Sequence, residues 1–564
     1  MGFLDGARFI GFIVKAIKTI CTWAYKLGVL ALLIIVFLVA YLDLKPAWLW
    51  YTLGFAWFIV HWVDFFFVRT SNTGEKHVLV YLYKKLTHSN ADKKGVISTK
   101  MAKGDKYPNG IILGRDNAKK SYIQQGVEEP GSIAIVGQAG SGKSQQLIST
   151  LLSYGDGYKD KPVEEQPSIL CVDVKAEFLP LVYDYRHNTL GRDVKYLSFG
   201  ERVLDDMPSA VYDIFSVFKF AENPIQAAQE IANALIVMRP DEKQPHFPNE
   251  ARALLSGLLY CMADSGVGFA DAIRLICGTS IPVLIEKYCI KNRQPEQLVT
   301  DKAWMILSSF YDKAKKGTEE FNSVLSTMLS PLRSLATNDN IINALDTKNG
   351  YSDVLTPEDL MTGDVFLCIR EQYLDPEQPN ILNVIISQYL SYFSRTQNNT
   401  KKRTLFILDE YTRLGKLPII DGINLYRSKG LRFMLAMQST SQIEDVYGTN
   451  GLNKLMDGCD KTIVLSAKGN SAKYFSDRVG EYEKTMQTTN KGSSSQTMQF
   501  GGGINSGTSE SQQLRKVFQP SFFESELVSN QKELILSTDG YRIADVCFAW
   551  NDPIISSRAD FPKL

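Results

Sequence analysis

The sequence predicts an α/β fold built on a parallel sheet, interrupted by an all-helical insertion and preceded by a two-helix membrane anchor. Three observations carry this reading. Two apolar runs stand back to back within residues 1–70. From Ser132 onward short apolar segments alternate with helical ones, the pattern of a parallel sheet. Residues 220–350 break that alternation and carry only helical periodicity.

Composition narrows the class. At about 100–200 residues per domain, 564 residues allow several domains and a sizeable core. With 45% hydrophobic and 22% charged residues the chain is neither disordered nor collagenous. Sixty-two Lys and Arg stand against 61 Asp and Glu, a formal charge of +1, so no global basic field attracts a polyanion. Any nucleic acid must then meet a local patch or a repeated subunit. The eight cysteines form no CxxC pair, which argues against a zinc site or a disulfide framework and fits a reducing compartment.

The anchor comes first. Residues 27–42 are uncharged, and the run extends back through Thr19–Tyr25 if Lys26 snorkels to the interface. Pro46–Val68 is a second span, with His61 and Asp64 as its polar interruptions and Trp and Tyr toward its ends, as in an interfacial belt. Those two polar residues belong at the headgroup level or against a neighbouring helix, or else serve as functional groups. Arg8, Lys15, Lys18 and Lys26 precede the pair, and Arg69, Lys76, Lys84, Lys85, Lys93 and Lys94 follow it. Only Lys45 lies between. Both termini are therefore expected on the cytoplasmic side.

Residues 71–125 read as a polar connector with a little strand. Strand candidates then follow at 132–136, 168–172, 194–199, 365–369, 404–408, 432–437, 462–466 and 533–537. Between the third and fourth, Asn223 is placed as a helix cap and Pro224 as the first helical position, with Ile225, Ala228, Ala232 and Leu235 on one face. The expected organisation is an anchor (1–70), a connector (71–125), an α/β domain in two pieces (126–219 and 351–564) and an all-helical insertion (220–350). Residues 485–513, rich in Gly, Ser, Thr and Gln, read as a flexible excursion.

The most specific local signal is Gly137, Gln138, Ala139, Gly140, Ser141, Gly142, Lys143 and Ser144, a full match to G-x-x-x-x-G-K-[ST] between a strand and a helix. Glycines let backbone N–H groups close on a phosphate, and the helix N-terminus adds its dipole. Lys143 brings a point charge to the β- and γ-phosphates, and the Ser144 hydroxyl ligates Mg2+. ATP and Mg2+ are the implied ligands. An acidic partner is expected at a nearby strand end, and TLFIL runs into Asp409 and Glu410. Asp409 would hold Mg2+ through water, and Glu410 would be the base for the attacking water.

Gln438 ends the next strand, either as a γ-phosphate sensor or as a polar strand cap. Asp173, Lys175 and Glu177 follow another strand, lining the same crevice or forming a solvated loop. Arg427, or Arg432 beyond it, is an arginine finger toward a neighbour's phosphate or a plain surface residue.

These motifs bring a resemblance. The two-span anchor, LGRD, GSIAIVGQAGSGKS, SILCVDVKAEF, LFILDEYTRLGKLP and QSTSQIEDVYG resemble the type IV secretion coupling proteins, the membrane ATPases of bacterial conjugation, from about residue 20 to the end. The resemblance implies a RecA-like nucleotide-binding domain with an all-alpha domain. It also implies a homo-hexameric ring in the bacterial inner membrane, beneath the inner-membrane proteins of a secretion channel. DNA and relaxase or relaxosome proteins are the implied partners. The resemblance points to Lys143, Ser144, Asp409, Glu410 and Gln438 as site residues. Two departures stand out: the loop between the spans is nearly absent, and Ala176 replaces the glycine of a D-x-K-G-E segment, which puts the tight turn there in question. Coupling protein effectors, chromosome-segregation DNA translocation and a docking scaffold are the competing functions. The intact Lys143, Asp409 and Glu410 argue against a pure scaffold.

Overall fold

The computed structural model describes residues 104–561, leaving aside 238–242, 292–297, 299, 349, 351–352, 375–380, 397–401, 492–505 and 560. Both expected membrane spans lie outside the described residues. Among the described residues no helix is long and apolar enough to cross a membrane. Lys100–Glu481 and Lys516–Leu564 form one compact unit, and Tyr482–Arg515 belongs to another.

The strands in chain order are β1 (Ile111–Asp116), β2 (Ser121–Gln125), β3 (Ser132–Val136), β4 (Ser168–Val172), β5 (Asp193–Ser198), β6 (Val211–Tyr212), β7 (Val354–Leu355), β8 (Gly363–Cys368), β9 (Thr404–Leu408), β10 (Leu431–Met437), β11 (Cys459–Val464), β12 (Glu481–Lys491), β13 (Ser506–Lys516), β14 (Lys532–Ser537) and β15 (Gly540–Asp545). Eleven of them build one sheet in the order β2-β1-β15-β14-β11-β3-β10-β9-β4-β8-β5. From β11 to β5 every neighbour is parallel. These strands read as unbroken apolar runs, SIAIV and TLFIL among them, because helices cover both faces.

The other end of the sheet departs from the parallel expectation. β14 pairs antiparallel with β11 and with β15, and β1 pairs antiparallel with β15 and β2. The reason is local: Ser537 and Gly540 are paired, so only two residues join β14 to β15, and so short a link cannot return a parallel strand. β1 and β2 also fall within residues 71–125, which the sequence suggests as connector. Ile111, Ile112, Leu113, Tyr122 and Ile123 are instead buried in the main core. Across residues 485–513, β12 and β13, which flank 492–505, pair as a two-stranded sheet of their own.

Helices fill the gap between β6 and β7: Pro224–Leu235, His246–Asp264, Phe269–Gly278, Lys302–Lys316, Glu319–Ala336 and Asp339–Ala344 among them. Helix His246–Asp264 packs against four of its fellows, and at Gly257 it comes so close to Lys302–Lys316 that a Cβ would lie 2.7 Å from Leu307. Ile225, Ala228, Ala232 and Leu235 are buried together as their spacing predicts. Asn223 precedes that helix but makes no side-chain cap. Its backbone carbonyl accepts the N–H groups of Gln226 and Ala227 instead. β6 and β7, two residues each, pair in parallel and close the segment at its base.

One buried cluster ties the sheet to the helix that follows β3, Lys143–Leu151. Arg186 Nε donates to Asp364 Oδ2 at 2.6 Å, and its Nη1 donates to the carbonyls of Leu151 (2.7 Å) and Tyr154 (3.2 Å). Asp364 Oδ1 accepts the Ile169 N–H at 2.9 Å. Each charge is thus hydrogen-bonded, which burial in a low dielectric requires.

Candidate functional site

The site forms where β3 ends. Gly137 N–H donates to the Met437 carbonyl of β10 (3.1 Å) and Gln138 N–H to Ser466 Oγ (2.9 Å), so the loop leaves the sheet from fixed points. Gly140 and Gly142 have φ of +76° and +104°, conformations that side chains strain to adopt. At Gly137 the obstacle is space, since a Cβ would lie 2.3 Å from Ser141 Oγ. The result is a close-walled turn that opens into the N-terminus of helix Lys143–Leu151. Lys143 Nζ folds back to donate to the Gly137 carbonyl at 2.6 Å. Burial lowers the affinity of this amine for its proton, while Glu410 and Asp409 hold the charge in place.

β9 delivers the acids two strands away. Asp409 is 3% exposed, and its pKa is pushed up to about 7, first by burial and then by the charges of Glu410 and Asp173. Glu410 stands at φ +47°, a left-handed conformation that costs a non-glycine residue about 1–2 kcal/mol. Such strain gathers at working sites. Gln438, at the end of β10, donates its Nε2 to Glu410 Oε1 (3.1 Å) and Oε2 (3.2 Å). Lys143, Asp409, Glu410 and Gln438 therefore meet at the carboxyl edge of the parallel strands.

The network includes a residue that the sequence reading passes over. Gln442 Oε1 accepts the Gln438 N–H (3.4 Å) and the Thr412 hydroxyl (3.3 Å). The available signal was S-x-x-Q at Ser439–Gln442, a capping pattern: Ser439 Oγ accepts the Gln442 N–H at 3.4 Å.

Asp173 fits neither of its sequence readings. It is fully buried and accepts the N–H groups of Glu177 (3.1 Å), Phe178 (2.8 Å) and Leu179 (3.1 Å), capping helix Phe178–Asp184. Burial still pushes its pKa up to about 6. Lys175 and Glu177 are exposed, although the Lys175 charge reaches Lys143. The turn at Ala176 forms without the glycine, with Ala176 itself at φ +54°.

The arginines lie elsewhere. Arg427 ends helix Ile419–Ser428 just before β10 begins, at the amino edge of the parallel strands, and pairs with Asp460 at 3.1 Å. It does not join its own chain's loop. Arg432 is corrected as a finger candidate: it is 2% exposed and donates to the carbonyls of Gly126 (3.1 Å) and Val127.

The chain has relatives among known proteins. A family model described as "Type IV secretory system Conjugative DNA transfer" matches residues 84–538. The chain is 24% identical over 388 residues to the type IV secretion system-coupling protein VirD4 of Bartonella quintana (strain Toulouse), covering 64% of this chain and 55% of that protein. It is 23% identical over 399 residues to the protein VirD4 of Agrobacterium fabrum, 65% of this chain and 52% of that one. The chain thus spans about half the length of the curated relatives it matches. Among solved structures, the unbound bacterial conjugative coupling protein TrwBdeltaN70 superposes with a TM-score of 0.55 at 16% identity, over 80% of this chain and 95% of that one. TrwB in complex with ADP and Mg2+ superposes with a TM-score of 0.52 at 16% identity, over 80% and 96%. The shared fold is an α/β fold built on a large mixed sheet. With the model covering residues 84–538, the chain belongs to the type IV secretory system conjugative DNA transfer family.

Proposed function

We propose that the chain is an inner-membrane ATPase that recruits relaxase-bound DNA to a type IV secretion channel and helps move it during conjugation. The observation that carries this reading is the meeting of Lys143, Asp409, Glu410 and Gln438 at one sheet edge, beside a loop that needs glycine for space at Gly137 and for positive φ at Gly140 and Gly142. The residues suit ATP with Mg2+. The Ser144 hydroxyl and, through water, the Asp409 carboxylate would hold Mg2+, a sparse protein donor set of the kind this cation accepts. Bound metal supplies charge neutralisation at the phosphates. Lys143 then positions the triphosphate, Glu410 takes a proton from the attacking water, and Gln438 fixes the Glu410 carboxylate between its two hydrogen bonds.

A homo-hexamer at the membrane completes the proposal. Net charge of +1 supplies little non-specific DNA affinity to a single chain. Head-to-tail packing repeats a modest basic patch around a channel and lets Arg427, displaced from its own site, reach a neighbour's. For the detergent-purified full chain, DNA is expected to promote oligomerisation and to raise the ATPase rate several-fold, with less effect as salt rises. Turnover measured against protein concentration, with and without DNA at two ionic strengths, checks this. Full activity from a dilute monomer indifferent to DNA would remove the ring mechanism. The anchor has its own test. Reporter fusions at residues 20 and 100 should both read cytoplasm, and a periplasmic reading at 100 would leave one span instead of two.

A further inference from the structure

The acids stand on the β10–β9 side of β3, so the γ end of a triphosphate belongs there. The rest of a nucleotide must then leave the loop on the opposite side, toward β14 and β15. What stands on that side is the segment following β15. A Cβ at Gly142 would lie 3.1 Å from Val546 Cγ1 and 3.5 Å from Phe548 Cε1. Trp550 donates its backbone N–H to Gln145 Oε1 (3.3 Å), and Ser149 Oγ donates to the Cys547 carbonyl (3.2 Å). Positions 142, 145 and 149 share one helix face, so the segment runs along the first turns of helix Lys143–Leu151.

It is held firmly. Asn551 and Asp552 donate their N–H groups to the Phe548 carbonyl (3.1 and 3.0 Å), and the Asp552 carboxylate accepts the Tyr122 hydroxyl at 2.6 Å. On this fixed turn Trp550 is 46% exposed, with its ring 6.2 Å from that of Phe548. Beside them opens a cavity of about 290 Å³ whose lining includes Arg115, Asn117, Gln531, Phe548 and Asn551. An exposed aromatic plane stacks bases regardless of their identity, and carboxamides carry the paired donor and acceptor that a base edge presents.

We infer that Val546–Asn551 and this cavity form the nucleobase subsite of the loop, with Trp550 as the stacking plane and the Asn117 and Asn551 amides at the base edge. The inference rests on the nucleotide-binding reading above. Its test uses the detergent-purified full chain labelled with 8-azido-ATP. Label displaced by ATP should appear on the tryptic peptide spanning residues 543–558 or on the one spanning 116–119 that carries Asn117, and ATP-displaceable label on neither overturns the subsite. In parallel, Trp550→Ala should weaken ATP binding about tenfold while leaving the affinity for inorganic tripolyphosphate unchanged. Equal losses for both ligands, or no loss for ATP, overturn it as well. If the unsubstituted protein binds neither ligand, the loop reading itself has failed and the subsite falls with it. If it binds both and Trp550→Ala changes nothing, only the subsite has failed.

Discussion

Replacing Lys143 with Ala is expected to abolish ATP hydrolysis and DNA transfer while leaving membrane insertion intact. The Lys143 amine is largely withdrawn from water and lies 2.6 Å from the Gly137 carbonyl, so its charge is already placed when a phosphate arrives. Charge-assisted bonds in a dry site are among the strongest available, and losing one such donor at developing charge costs about 10²–10³ in rate. A second loss follows from the geometry. Lys143 is a counter-charge for Asp409, so its removal raises further a carboxyl that burial already holds near 7. The metal-binding form of Asp409 then becomes scarcer at neutral pH. ATP turnover and fluorescent-nucleotide binding of the purified variant are the measurements, and wild-type turnover would refute the assignment.

Glu410→Gln should instead separate binding from chemistry. The amide retains an oxygen for Gln438 Nε2 but cannot take the proton of water, so turnover should fall about 10²–10⁴-fold while ATP and Mg2+ remain bound. The pH dependence sharpens this. A raised pKa favours the protonated acid, so Asp409 loses its grip on Mg2+ as pH falls below about 7. Burial is the larger cause of that rise and the Glu410 charge the next. Removing the charge should therefore move the midpoint of Mg2+-dependent nucleotide binding to lower pH. Calorimetric titrations of wild type and variant between pH 5.5 and 8, a range of about one and a half units below and one above that value, read both effects. A variant that binds no ATP would make Glu410 structural. An unmoved midpoint would remove the coupling between the two carboxylates.

Much of the site was legible because its parts are contiguous in sequence. The turn from Gly137 to Ser144 needs glycines at fixed offsets for reasons internal to the turn, φ at Gly140 and Gly142 and space at Gly137. Asp409 and Glu410 are legible for a similar reason: four apolar residues and then two acids mark the end of a buried strand wherever it lies in the sheet. The core strands from β3 to β11 announce themselves through apolar runs, and the face of helix Pro224–Leu235 through its period. Each of these depends on residues within a few positions of one another.

Tertiary structure alone decided the rest, because the determining contacts join distant segments. That β1 and β2 extend the same sheet depends on pairings such as Arg115 with Asp545, far apart in the chain. Asp173 reads equally well as a crevice acid or a solvated one until three N–H groups close on it. Ala176 holds a turn that a glycine would hold with less strain, since the surrounding contacts over-determine its backbone. Arg427 and Arg432 look interchangeable in the sequence, yet one is a half-exposed ion pair and the other a buried prop for two carbonyls. The sequence by itself marked the residues to which phosphate and metal chemistry is assigned, since that assignment rests on local turns and strand ends. Only the folded sheet decided what surrounds them: Gln438 against Glu410, and a C-terminal aromatic turn against the N-terminus of the phosphate-loop helix, each brought there by strand order that no short window of residues encodes.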